Sequence, residues 1–224
     1  MIVLTSGKGS PGATTAAVVL ALAASSPELA PALVVECDPG GGDLGLRMRD
    51  TQGRFLPADA GLLAWAVSPA EGSPVEMAAF AERTSAGVDV LLGPPAAAHA
   101  ATFGPVWPDV AAGLTRLDRR VFVDVGRLAP DGPQWLMLAG AQLVIVVCRA
   151  TADSVLHTRA TLQLLGRTLT AQGSTADVGV VVVADPRDTD AAEQVRDALA
   201  VDGIPECVLG SLPLDSLASA LLTG

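Results

Sequence analysis

The chain opens with MIVLTSGKGSPGATT, residues 1–15, in which an apolar run leads through a glycine-rich loop into a helix-forming segment. Residues 2–5 are apolar or β-branched and predict a strand. The run 14–24 predicts a helix that is apolar on several sides and therefore buried. This strand–loop–helix unit begins a pattern that the rest of the chain repeats.

Short apolar runs alternate with longer helical stretches, which is typical of a sheet covered on both faces. The predicted fold class is α/β, with a mostly parallel sheet of roughly seven strands and helices on both faces. The predicted strands are 2–5, 33–37, 88–92, 121–124, 143–148, 178–184 and 207–209. The predicted helices are 14–24, 61–67, 75–83, 106–117, 134–139, 152–171, 190–200 and 216–222. We expect 93–100 to be a mobile loop.

Composition narrows the class of protein. The 224 residues suit one domain over 1–224, and the C-terminus ends in mid-pattern, as if truncated there. The net charge of −10 disfavours non-specific DNA binding, which needs basic residues against phosphate. No apolar run reaches the roughly 18 residues needed to span a bilayer, and no signal peptide is evident. We expect a cytoplasmic protein whose three cysteines, Cys37, Cys148 and Cys207, are buried thiols.

The opening loop follows the spacing of the phosphate-binding pattern G-x-x-x-x-G-K-[ST]. Gly7, Gly12 and Thr14 occupy their positions, but Ala13 stands where the pattern has lysine. The only lysine of the chain, Lys8, lies near the start of the loop. Glycine N–H groups and the helix dipole predict an anion site, although a plain turn joining strand to helix is the alternative.

The octapeptide KGSPGATT, residues 8–15, resembles the deviant Walker A motif K-G-G-x-G-K-[ST]-[ST] of the MinD/ParA branch of P-loop ATPases. The resemblance implies that Lys8 reaches across a dimer to the partner's nucleotide. Ser10 replaces a glycine of the motif, and Ala13 replaces the phosphate-binding lysine. The nucleotide-binding residues it implies are Gly7, Gly9, Ser10, Gly12, Ala13, Thr14 and Thr15.

Two further stretches carry the same resemblance. ALVVECDP, residues 32–39, resembles the strand-end D-x-D-P motif that orients Mg²⁺ and the attacking water. Asp38 matches its second aspartate, and Glu36 stands in for the first. RVFVDVG, residues 120–126, resembles a Walker B strand that ends in Asp124. The resemblance thus implies ATP or ADP with Mg²⁺ as the cofactor, with Lys8 and Asp38 as catalytic residues and Thr14, Asp38 and Asp124 as metal ligands.

Other polar residues have weaker assignments. Asp43 lies in 40–44, which resembles the switch segment of the family, but a solvated turn residue also explains it. Arg149 follows the fifth predicted strand and is either a base or partner contact or a surface residue. His99 and His157 have no carboxylate or serine at a readable spacing, so we expect both to be structural or solvated. Ala184 stands where many relatives have an adenine-reading asparagine.

Within the branch, the run PGGGDL at 39–44 and the degenerate loop look most like the TadZ/CpaE-type proteins, which help localise pilus secretion machinery or a septum. Three functions stay open. One is a weakly binding, poorly hydrolytic dimeric switch that recruits a pilus, secretion or division partner at a pole or septum. Another is a pseudo-ATPase scaffold that dimerises without nucleotide. An active DNA-partition ATPase is disfavoured by Ala13 and by the acidic charge.

Overall fold

A computed structural model describes residues 1–8, 11–25, 31–68, 77–201, 204 and 207–214. Its centre is an eight-stranded sheet with the order β3-β4-β2-β5-β1-β6-β7-β8. The strands are β1 (Ile2–Ser6), β2 (Leu33–Glu36), β3 (Glu82–Arg83), β4 (Asp89–Leu91), β5 (Val121–Arg127), β6 (Leu143–Arg149), β7 (Asp177–Ala184) and β8 (Val208–Pro213). All neighbours pair in parallel except β3, which is antiparallel to β4. The predicted fold class is therefore confirmed.

Helices and one 3₁₀ turn connect the strands. The α-helices are α1 (Ala13–Ala24), α2 (Leu44–Arg47), α3 (Leu62–Ala66), α4 (Ala97–Thr102), α5 (Trp107–Thr115), α6 (Gln134–Ala139), α7 (Ala152–Ala171) and α8 (Ala191–Ala200). The 3₁₀ turn is Met77–Phe80. The helices predicted at 134–139 and 152–171 are found with those bounds.

The core has two halves, one on each face of the sheet. Along β1, Val3 packs into one half and Leu4 into the other, because successive side chains of a strand point to opposite faces. Helix α1 contributes to the Leu4 side, and α5 to α8 contribute to the Val3 side. Valines of β7 alternate in the same way, with Val180 on one side and Val181 on the other. The near-pure valine run therefore reflects a strand buried on both faces.

Two sequence predictions are wrong in detail. The predicted helix 75–83 is a 3₁₀ turn followed by β3 within the described residues, with 75 and 76 lying outside them. An ion pair of 2.9 Å joins Arg83 to Asp89 across the hairpin, so strand pairing overrides local helix propensity. The predicted mobile loop 93–100 instead leads into α4, where Ala100 packs into the core. The predicted helix 216–222 lies outside the described residues.

Candidate functional site

The carboxyl ends of the central parallel strands bring the predicted site residues to one rim of the sheet. β1 lies between β5 and β6, and β2 lies beside β5. The glycine-rich loop follows β1, and Asp38 follows β2. The prediction that the strand 121–124 ends in Asp124 is wrong, because β5 continues to Arg127 and Asp124 is its fourth residue. In open α/β sheets, ligands bind at this rim where the strand order reverses. The parallel strands therefore place these predicted residues on one edge of the sheet.

The glycine-rich loop ends in an uncapped helix N-terminus. Gly12 takes the N-cap position of α1 with a φ of 100°, a left-handed conformation that favours glycine. No side chain among the described residues caps the helix, and its first turn contains no acidic residue. Its first N–H groups can therefore face an anion. Lys8 is exposed and Ala13 is buried, while Gly9 and Ser10 lie outside the described residues.

The loop packs directly against α7. A Cβ atom added at Gly7 would lie 2.6 Å from Thr161 Oγ1 and 2.8 Å from the carbonyl oxygen of His157. Gly7 is therefore required for this close approach as well as for the loop itself. His157 contributes its backbone here, and His99 is exposed on α4, which agrees with structural or solvated roles for both.

Thr14, Asp124 and Asp38, the three residues predicted to bind a metal, lie near the start of α1. Asp124 is only 2% exposed, and its carboxylate accepts hydrogen bonds from the Thr14 side chain and from the N–H of Gly126 at 2.9 Å. A Cβ atom at Gly126, where φ is 62°, would lie 2.1 Å from the Asp38 carboxyl group. The two carboxylates therefore lie next to the same turn, close to the threonine hydroxyl.

Burial raises the pKa of both carboxyl groups. It raises the pKa of Asp124 from 3.8 to about 6, against the hydrogen bonds from Thr14 and Gly126, which lower it. Burial also raises the pKa of Asp38, whereas the N–H of Gly40 and the charge of Arg127 act in the opposite direction. Partly desolvated carboxylates that repel one another are stabilised as anions by a nearby cation.

These oxygen groups fit Mg²⁺ in the manner of a nucleotide site. No cluster of three His, Cys, Asp or Glu side chains in the described part of the chain could hold a metal ion by itself. Mg²⁺ usually keeps several waters and is bound through one or two carboxylates together with substrate phosphates. Thr14, Asp38 and Asp124 supply that partial set, and the metal would supply charge neutralisation of bound phosphate.

The Glu36 carboxylate is buried and accepts hydrogen bonds from backbone N–H groups of two other segments. Its side chain is 3% exposed, and Oε1 accepts the N–H groups of Asp43 and Leu44, each at 2.9 Å. Oε2 accepts the N–H of Gly93 at 3.3 Å. Burial raises its pKa from 4.5 to about 7, with the backbone N–H groups opposing and Asp124 reinforcing the rise. In this structure Glu36 therefore joins the 40–44 segment to the loop after β4.

Two features of this rim were not predicted from the sequence. The close fit of Gly42 against Glu36, where a Cβ atom would lie 2.4 Å from the carboxylate, explains one glycine of the run 40–42. Arg47, at the end of α2, donates from Nη2 to Thr15 Oγ1 at 3.0 Å. No local pattern marks that contact, because 32 residues of sequence separate the two side chains.

Two further residues discussed from the sequence lie at the ends of strands. Arg149 ends β6, and Ala184 ends β7 as a buried residue. Cys37 and Cys148 are buried free thiols, as predicted. Cys207 is a free thiol but only half-buried, so the prediction of a buried thiol is wrong there. No helix in the described residues is long and apolar enough to cross a membrane.

The fold is that of the ParA and MinD class of P-loop ATPases. A ParA-family ATPase from Chlorobium tepidum TLS has a TM-score of 0.71 at 15% identity, covering 99% of this chain and 88% of that chain. The septum site-determining protein MinD from Pyrococcus horikoshii OT3, complexed with Mg-ADP, has a TM-score of 0.67 at 20% identity, covering 98% of this chain and 84% of that chain.

A synthase has a similar fold. Cobyrinic acid a,c-diamide synthase from Mycobacterium smegmatis, with a bound ATP analogue and magnesium, has a TM-score of 0.66 at 17% identity, covering 99% of this chain and 90% of that chain. No family model and no curated protein matches the chain. These likenesses define the fold, and function has to be argued from the site.

Proposed function

We propose that this chain is a nucleotide-binding positioning protein of the MinD/ParA type, consisting of one domain over 1–224. The observation that carries the proposal is the grouping of Thr14, Asp38 and Asp124 beside the uncapped N-terminus of α1. The helix end attracts phosphate, and the oxygen groups accept Mg²⁺. We assign ATP or ADP with Mg²⁺ as the ligand, held by residues 7, 9, 10 and 12–15.

Binding is expected to be weak and hydrolysis poor. Ala13 removes the lysine that would contact the phosphates, a charge-assisted contact typically worth about 1.5–3 kcal/mol. That energy corresponds to roughly a ten- to hundredfold loss of affinity. Phosphoryl transfer depends on neutralising the charge that develops on the transferred group, so a missing cation slows the reaction further.

In this proposal the protein acts as a homodimeric switch. Lys8 is exposed next to the loop, where it can meet a nucleotide held by a second protomer. The bound dimer recruits a partner in a pilus, secretion or division complex and acts in the cytoplasm at a pole or septum. The net charge of −10 argues against chromosomal DNA as the partner.

A scaffold that dimerises with an empty loop is the second candidate, and Ala13 is the observation that favours it. Titration of the native chain with ATP and Mg²⁺ by calorimetry, beside Ala13→Lys, separates the two. Heat of binding in the native chain supports the switch. No heat of binding in the native chain, together with binding in Ala13→Lys, supports the scaffold.

Light scattering with and without ATP then tests the dimer. We expect ATP to shift the native chain from monomer to dimer and Lys8→Ala to remain monomeric. A Lys8→Ala variant that dimerises as readily as the native chain contradicts the role of Lys8.

A further inference from the structure

An arginine side chain lies against the first turn of α1, where the motif lacks its lysine. Arg47 Nη2 donates to Thr15 Oγ1 at 3.0 Å, and Nη1 lies 3.4 Å from Asp43 Oδ1. The Arg47 side chain is 29% exposed, so it is only partly covered by its neighbours. Thr15 lies two residues beyond Ala13 and in the same turn. A cation therefore lies against the same helical turn that carries Ala13 in place of the lysine.

The electrostatics of the rim show why a phosphate ligand needs that cation. Asp38 and Asp43 both act on Asp124 as neighbouring negative charges, and Asp124 acts in the same way on Glu36. The N-terminus of α1 offers only about half an elementary charge in compensation. A polyphosphate that approaches this rim therefore meets several carboxylates and requires fixed positive charge besides Mg²⁺.

The Glu36 carboxylate fixes the start of α2, the helix that carries Arg47. Glu36 accepts the N–H groups of Asp43 and Leu44, which are the N-cap and first residue of α2. Asp43 then contacts the guanidinium from its own position four residues before Arg47. The guanidinium is thus held beside Thr15 before any ligand arrives, which lowers the entropic cost of binding.

We propose that Arg47 supplies the phosphate-binding charge that Ala13 does not, and this inference rests on the proposed nucleotide site. Thr15 Oγ1 accepts from Arg47, so its hydroxyl hydrogen is available to donate to a phosphate oxygen. The planar guanidinium retains further N–H donors, which suit phosphate oxygens. Arg47 and Thr15 together bind phosphate at the helix N-terminus, and Asp43 orients the arginine.

The test is a calorimetric titration of the native chain, Arg47→Ala and Arg54→Ala with ADP, ATP and inorganic pyrophosphate. Arg54 is a matched control because it also pairs with an aspartate four residues earlier, Asp50 at 2.7 Å, and its side chain is 69% exposed. Loss of a charged phosphate contact in Arg47→Ala is expected to weaken all three ligands roughly ten- to hundredfold. Arg54→Ala is expected to stay within about twofold of the native chain, since it removes only an exposed pair.

Two further variants separate charge from folding. Arg47→Gln keeps a hydrogen-bond donor without the charge, so it is expected to lose most of the same affinity if charge is what matters. Adding Ala13→Lys to Arg47→Ala restores the missing charge from the usual position and is expected to recover the affinity. Circular dichroism confirms that each variant is folded before it is titrated.

The outcomes distinguish this inference from the proposed function. If the native chain binds nucleotide and Arg47→Ala binds it equally well or more tightly, the site stands and the role of Arg47 is overturned. If the native chain binds nothing while Ala13→Lys does, nucleotide binding by the native chain fails, and Arg47 does not replace the lysine. Weakening in both Arg47 variants, with recovery through Ala13→Lys, supports the inference.

Discussion

Replacing Glu36 with glutamine is expected to remove a large part of the pH dependence of stability in this protein. Burial raises the pKa of Glu36 from an ordinary value of 4.5 to about 7, so the folded protein binds this proton more tightly than the unfolded chain does. The stabilisation from that proton is complete below pH 4.5 and is lost as the pH rises through about 7.

The magnitude follows from the two pKa values. A change from 4.5 to about 7 corresponds to about 3 kcal/mol in the free energy of unfolding, most of which falls between pH 5 and pH 8. Glutamine keeps an acceptor for the N–H groups of Asp43 and Leu44 but places an amide where Oε2 accepts the N–H of Gly93. We therefore expect Glu36→Gln to be less stable than the native chain at pH 5 and to overtake it by pH 8.

Guanidinium chloride unfolding at pH 5, 6, 7 and 8, followed by tryptophan fluorescence, measures this difference. Glu193→Gln makes the same chemical change at an exposed position of α8 and is expected to follow the native chain at every pH. The reasoning is refuted if the stability difference between Glu36→Gln and the native chain stays constant within about 0.5 kcal/mol over this range, since that is about the scatter between independent sites.

Three further predictions concern the rim and the helix that packs on the loop. Asp124→Asn removes a carboxyl group whose pKa is raised from 3.8 to about 6. In denaturation curves, the free energy of unfolding of this variant should therefore change less between those two pH values than that of the native chain. An equal change in both proteins contradicts this. Gly126→Ala and Gly173→Ala place alanine at φ values of 62° and 66°; Gly173→Ala should cost about 1–2 kcal/mol of unfolding free energy, and Gly126→Ala should cost more because its Cβ atom also meets the Asp38 carboxyl. Only Gly126→Ala also displaces the Asp38 carboxyl. Calorimetry should therefore show that Mg²⁺ increases the affinity for ATP less in Gly126→Ala than in the native chain or Gly173→Ala. An equal effect of both variants opposes this. Gly166→Ala, inside α7 with open space around its Cβ position, should stabilise the protein by about 0.5–1 kcal/mol in thermal or chemical unfolding, and any loss of stability speaks against it.

The local pattern of apolar and polar residues was sufficient to predict most of the strands. All seven predicted strands are present, because a strand buried on both faces of a parallel sheet has a continuous apolar sequence that polar segments interrupt. The short strand β3 was missed because two residues carry no period of their own. The helix 75–83 was predicted from its composition, whereas pairing with β4 determined the structure of its described part.

The sequence by itself determined the fold class, because apolar runs that alternate with helical stretches specify a parallel sheet covered on both faces. The tertiary structure alone decided what Glu36 and Arg47 contact. Their partners are backbone N–H groups and a threonine hydroxyl on other segments, and such contacts depend on how β2, α2 and α1 pack rather than on residue type or spacing. For the same reason, the absent lysine at position 13 is visible in the sequence, but the arginine beside Thr15 is visible only in the folded chain.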